Sequence, residues 1–209
     1  MERFSRQDVL ATAAGSGDAT NADLSGINLR NAELIGPSFA NCNLSGCNLS
    51  GANCTAASFR GADLAKADLT FAVLVGADFT DANLRQADLT NSRTAAACFD
   101  RADLAEANLQ MTDGGGARFR NANLARASFR GASLIGADLT GSDLTRAKVY
   151  GTDLSAANLA GANLDGADIL DSTFVAANMT DGNLVNARVR RADLTRAQLG
   201  GLKYDDSLE

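Results

Sequence analysis

From Leu24 to Leu199 every fifth residue is drawn from a narrow set, and this period limits the fold more than any other feature of the chain. Of the 36 positions it reaches, 29 are leucine or phenylalanine, and the residue two places earlier is alanine at 26 of them. The residue between is usually Asp, Asn or Ser, as in ADLAKADLT (62–70) and ANLAGANLDGADI (157–169). A period of five fits neither an α-helix at 3.6 nor a flat strand at 2, so one-sided burial needs a chain that turns a corner every five residues. Coils built from such corners bury the leucines in a column when stacked. Each coil also pairs its backbone with the coils above and below. Glycine, asparagine and aspartate near the corners tolerate turn conformations, and the small alanine leaves room for one large side chain per side. Periodicity predicts a solenoid.

With this A-[DN]-L-x-x formula from about Asn21 to Gly201, the sequence resembles the pentapeptide-repeat family. The resemblance implies an all-β solenoid, a right-handed quadrilateral β-helix with four pentapeptides per coil. Thirty-six repeats then make about nine four-sided coils, a rod ~43 Å long at the ~4.8 Å spacing of paired strands. Residues 1–19 read as an N-terminal cap, 20–201 as the repeat body and 202–209 as a C-terminal tail. In the cap, SRQDVLATAA (5–14) has an S-x-x-D start and Val9, Leu10 and Ala13 at helical spacing, which predicts a short capping helix. Beyond the last repeat only LKYDDSLE remains. Either this tail folds across Leu199 and Leu202, or two molecules meet end to end as a homodimer through the C-terminal coil.

The rest of the composition excludes more than it assigns. The chain of 209 residues carries 19 basic and 25 acidic residues, a formal charge of -6, which disfavours direct binding to nucleic acid or an anionic membrane. There is no histidine, and Cys42, Cys47, Cys54 and Cys98 lack zinc or redox spacing, so they read as reduced packing residues with no metal site. The segment MERFSRQDVL does not resemble a signal peptide, and no apolar span is long enough for a membrane, so the expected location is cytoplasmic. No nucleophile stands beside a base at a recognisable spacing, and a filled interior leaves no pocket, so neither enzyme activity, a cofactor nor a small-molecule substrate is expected. DGGGA (113–117) lacks the Lys and Ser of a phosphate loop.

Twenty residues per coil assign each central residue to one of four faces. The first face carries leucine throughout, from Leu24 to Leu184, preceded by alternating Asp23, Asn43, Asp63, Asn83, Asp103, Asn123, Asp143 and Asn163. Asp23, Asp63, Asp103 and Asp143 form a candidate anionic ladder, in which the asparagines space the charges. The fourth face carries Phe39, Phe59, Phe79, Phe99 and Phe119, expected to stack in the core. The third face is irregular: the inward positions Cys54, Thr94 and Gly114 depart from large apolar residues, and no other face has such a departure. Its outward positions include Ile35, Val73, Val75, Ile135 and Val175. With Arg93, Thr94 and Gly114 these make the candidate interaction face, flat and poor in charge. At Gly114 the missing leucine predicts a local cavity, an ordered water beside Thr94 or an outward bulge of residues 112–116.

The expected function is a non-enzymatic scaffold that binds a protein partner of unknown identity through the third face. The family resemblance implies an alternative: some members imitate double-stranded DNA, bind type II topoisomerases such as gyrase, and protect them from quinolone-type inhibitors. Those members share a C-terminal helical dimerisation extension, and many have loops that interrupt the register. This chain has neither feature, and Arg118, Arg120, Arg126, Arg130, Arg188, Arg190 and Arg191 break up a continuous anionic surface.

Overall fold

A computed structural model of the chain describes residues 5–15 and 19–205. Most of the five-residue corners are of one kind. The Ile27 N–H donates to the Leu24 carbonyl at 3.1 Å, with Gly26 between them at φ +64°. A positive φ at the third residue together with that bond is a type II β-turn. Every fifth residue from Asn21 to Gly201 has a positive φ, between 52° and 84°. The acidic or amide residue before each leucine serves the same corner: Asp23 Oδ1 accepts from the Ser25 N–H at 3.1 Å, and Asp88 Oδ1 from the Thr90 N–H at 2.9 Å. Such a side chain satisfies an outward N–H that the turn leaves without a backbone partner.

Corners stack because each residue pairs with the one 20 places on. The first face forms a parallel ladder from Asp23 through Asn43, Asp63 and their successors to Lys203, so four pentapeptides complete one coil. Leu24 N–H donates to the Asn43 carbonyl at 2.7 Å, and Asn43 N–H returns to the Ala22 carbonyl at 2.9 Å. At three sides with a β-branched aliphatic central residue the pairing lengthens into strands, whereas the side of Thr94 stays an isolated bridge. The strands are β1 (Lys148–Tyr150), β2 (Asp168–Leu170) and β3 (Arg188–Arg190), parallel in the order β1-β2-β3 with Val149, Ile169 and Val189 in register. Branching at Cβ favours extended backbone.

The interior is filled by the expected columns of leucine and alanine. Phe59, Phe79, Phe99 and Phe119 stack with ring centroids 4.8 Å apart and planes within 4°. Aromatic pairs left to themselves prefer offset or edge-to-face geometry; here the backbone ladder sets both rise and tilt. Outside, corner side chains pair along the rod axis, as where Arg101 Nε and Nη2 donate to the two carboxylate oxygens of Asp81 at 2.7 and 2.8 Å.

The two ends differ. The helix α1 (Arg6–Ala14) starts at a capping box, with Ser5 N–H donating to Asp8 Oδ2 at 2.8 Å and Asp8 N–H to Ser5 Oγ at 3.2 Å. Val9 is fully buried, and Leu10 and Ala13 pack on the first coil. Arg6 Nη1 donates to the Asn28 carbonyl at 2.7 Å and Nη2 to the Arg30 carbonyl at 3.2 Å. A preceding coil would otherwise pair those carbonyls, so one arginine closes part of the strand edge. At the other end Leu202 packs against the core while Leu199 stays 42% exposed. Residues 206–209 of the expected tail, and residues 1–4 and 16–18 of the expected cap, lie outside the described residues.

Candidate functional site

The third face differs from the others on the inside as well as the outside. Ser92, Thr94, Thr112, Thr152 and Ser172 all point into the rod here and are buried. Thr112 Oγ1 donates to the Leu89 carbonyl at 3.2 Å, Thr152 Oγ1 to Phe129 at 2.8 Å and Ser172 Oγ to Val149 at 2.9 Å. Each hydroxyl thus reaches one coil back and is satisfied by backbone. Ser92 Oγ is buried without a hydrogen-bond partner among the described residues. Thr94 stands at a leucine position; the other four hydroxyls replace alanine, a substitution the five-residue pattern shows only when the residue two before each central position is followed face by face.

Two expectations about this face need correction. Thr94 and Gly114 are buried, so neither can touch a partner. Residues 112–116 do not bulge either: Gly114 N–H donates to the Ser133 carbonyl at 2.8 Å, Ala117 N–H to the Gly114 carbonyl at 3.0 Å, and Asp113 pairs with Arg93 and Ser133 in the ladder. The space left by Gly114 is taken from the next coil. A Cβ placed on Gly114 would lie 2.9 Å from Leu134 Cδ2 and 3.0 Å from Thr94 Oγ1.

Outward, the structure keeps Ile35, Val73, Val75, Arg93, Ile135 and Val175 on one side of the rod. Ile35 is 58% and Ile135 49% exposed, Arg93 is exposed, and Val73, Val75 and Val175 are half-buried. To these the structure adds two corner residues missed from the sequence: Phe71, 65% exposed at φ +59°, and Met111, 60% exposed at φ +56°. In FAVLV (71–75) all three outward positions are therefore apolar, and Phe71, Val73 and Val75 make one row across the face. The row forgoes two local stabilisers used elsewhere. A bulky residue in the left-handed region costs of order 1–2 kcal/mol, where Gly or Asn would be cheaper, and Val73 cannot accept the outward N–H that Asp23 or Asp88 accepts. Above the row lie Asn91, Arg93 and Ala95, then Met111, Asp113 and Gly115, then Gly131, Ser133 and Ile135. Among the described residues the Arg93 guanidinium makes no hydrogen bond or ion pair.

The acidic ladder of the first face is built differently from a bare row of charges. Asn43, Asn83 and Asn123 donate Nδ2 to Asp23, Asp63 and Asp103 Oδ1 at 3.1, 2.8 and 2.9 Å, and Asn163 to Asp143 at 3.5 Å. The same Oδ1 atoms accept from turn N–H groups, and Arg85 Nη1 reaches Asp103 Oδ2 at 3.2 Å. All four aspartates are half-buried. Each is engaged in holding its own corner.

Titration follows burial and hydrogen bonding. Burial raises the Asp78 and Asp138 carboxyls, but donation from Thr80 or Thr140, by hydroxyl and N–H, with Arg60 or Arg120 beside them, outweighs it and holds both below the usual range. Burial pushes the Cys47 thiol up to about 12, and Cys54 is raised for the same reason. The four cysteines are free; Cys98 alone is half-buried rather than buried, beside Arg118 Nη2 at 3.0 Å.

Comparison with known proteins agrees with this geometry. Pentapeptide repeats match in eight copies, over residues 18–51, 52–91, 97–134, 115–155 and 172–203. Among solved structures the chain is similar to HetL from the cyanobacterium Nostoc sp. strain PCC 7120, a pentapeptide repeat protein involved in heterocyst differentiation regulation. The two are 28% identical over 96% of this chain and 95% of HetL, with a TM-score of 0.59. A trypsin-treated form of QnrB1, a plasmid-mediated fluoroquinolone resistance protein, is 21% identical over 90% of this chain and 89% of its own, with a TM-score of 0.49. No curated protein matches the sequence.

Proposed function

Because the chain belongs to the pentapeptide-repeat family, we propose that it is a non-enzymatic, cytoplasmic scaffold that binds a protein partner through its third face. The observation that supports this is the Phe71–Val73–Val75 row. Local stability is given up at Phe71 and Val73 together, and the result is exposed apolar surface. Rules broken locally without a packing gain are expected where a chain has a function to serve. Phe, Met and Arg are also the residue types enriched in protein interfaces. Imitation of double-stranded DNA draws less support, since the ladder aspartates are bound up with asparagine, turn N–H groups and Arg85.

The test is partner capture from a native lysate with the wild type and with Val75→Lys/Ile135→Lys. Capture should be lost in the variant while its circular dichroism stays β-rich. An unchanged capture removes the third face as the site. Inhibition of gyrase supercoiling at micromolar protein, weakened by Asp63→Asn/Asp103→Asn, would restore the alternative.

A further inference from the structure

Resting on the third face as the binding site, we propose that its occupant is an amphipathic helix lying along the rod. Its apolar side chains sit on the Phe71–Val73–Val75 row and on Met111 and Ile135, with a carboxylate opposite Arg93 and a cation opposite Asp113. An added β-strand is the other common way to occupy a sheet, and this face does not admit it. The backbone N–H and C=O groups around Val73 and Arg93 already pair with the neighbouring coils, leaving side chains alone to make contacts.

The dimensions suit a helix. From Phe71 to Val75 an extended side spans about 13 Å, and a helix with its side chains is about 10–12 Å across. Along the axis one coil rises ~4.8 Å, the spacing of paired strands, as the stacked phenylalanine rings 4.8 Å apart reflect. Two coils separate the Phe71 row from Met111, about 9.6 Å, close to the ~10.5 Å of seven helical residues. Three coils separate Val75 from Ile135, about 14 Å, close to ten residues. Between them Ala95 and Gly115 provide a low floor on which helix side chains can rest.

Charge sets the sequence of the partner. Arg93 is the only cation among the outward positions of this face from Asn31 to Val175, and its guanidinium is unpaired among the described residues. Asp113 follows it one rise along the axis. On a helix running from the Val75 coil toward the Ile135 coil, a glutamate and then a lysine three or four residues on meet the two in turn, and each fixed charge would repel the reverse order on a helix of that direction.

The probe is a synthetic helical peptide with leucines one and two turns apart and glutamate four residues before lysine on the same face, titrated by fluorescence anisotropy. A second peptide has the two charges exchanged. The wild type should prefer the first peptide, Phe71→Asp should weaken it at least about tenfold, and Arg93→Asp/Asp113→Arg should reverse the preference between peptides about tenfold. Equal binding of both peptides by wild type and charge-reversed protein overturns the proposal. So does the absence of peptide binding. If Val75→Lys/Ile135→Lys still abolishes partner capture in that case, the face remains an interface and only the helical occupant falls.

Discussion

Leu134 Cδ2 occupies the place where a side chain of Gly114 would begin, 2.9 Å from the Cβ that glycine lacks. The gap in the leucine column is thus shared out by a neighbour one coil on. Gly114→Leu, which would restore the repeat formula, is expected to destabilise by about 1–3 kcal/mol through overpacking. Gly114→Ala should cost less, since Leu134 can rotate away. Urea unfolding of the two variants checks this, and a more stable Gly114→Leu protein would contradict it.

The phenylalanine stack gives a second expectation. Phe79 contacts a ring on each side at 4.8 Å, so Phe79→Ala removes a buried ring and leaves a hole that two rigid coils cannot close. A loss of about 3–5 kcal/mol is expected. Phe79→Leu should lose less, because leucine occupies the same column at Leu139 and Leu159.

Phe71 joins stability to binding with opposite signs. Phe71→Asn relieves the left-handed corner and should raise stability by about 0.5–1 kcal/mol, while partner capture weakens. Thermal unfolding and capture measured on one preparation separate this from a structural role, which would move both the same way.

Acid should act through Asp78 and Asp138. Their carboxyls titrate below the usual carboxylate range in the folded chain, so the unfolded chain takes up protons first. The stability they contribute is complete above about pH 4 and disappears as pH falls through the lower folded values. Thermal midpoints should change little on this account from pH 7 to 5 and fall below pH 4. That fall should be shallower in Asp78→Asn/Asp138→Asn.

Thiol reagents should distinguish the cysteines. Cys47, raised to about 12 by burial, stays protonated at pH 8, and Cys54 is as deeply buried. Cys98 should be labelled first, with the other three reacting only as the chain unfolds.

Most of the fold is legible in the sequence because each residue's position modulo five states what its environment requires. The leucine columns, the phenylalanine stack and the Ser5–Asp8 capping box follow from spacing alone. The candidate site is legible only in part. Ile35, Val75 and Ile135 can be placed on the surface by counting, but the filling of the Gly114 gap depends on the rotamer of Leu134, 20 residues away. Phe71 and Met111 escape notice for another reason. Nothing in either residue favours the left-handed conformation; the ladder on both sides imposes it, and an apolar residue at a corner leaves the leucine pattern undisturbed.

The pairing of each residue with the one 20 places on gives the chain a reading frame. Deleting one residue would turn every later leucine outward. Deleting five would keep them inward yet rotate the rest of the rod by a quarter turn, placing the Val149–Ile169–Val189 side under a different column. Only a deletion of twenty would preserve both burial and alignment. Length in such a protein can therefore change by whole coils, and its surface patterns can be lengthened, shortened or duplicated as units without disturbing those below.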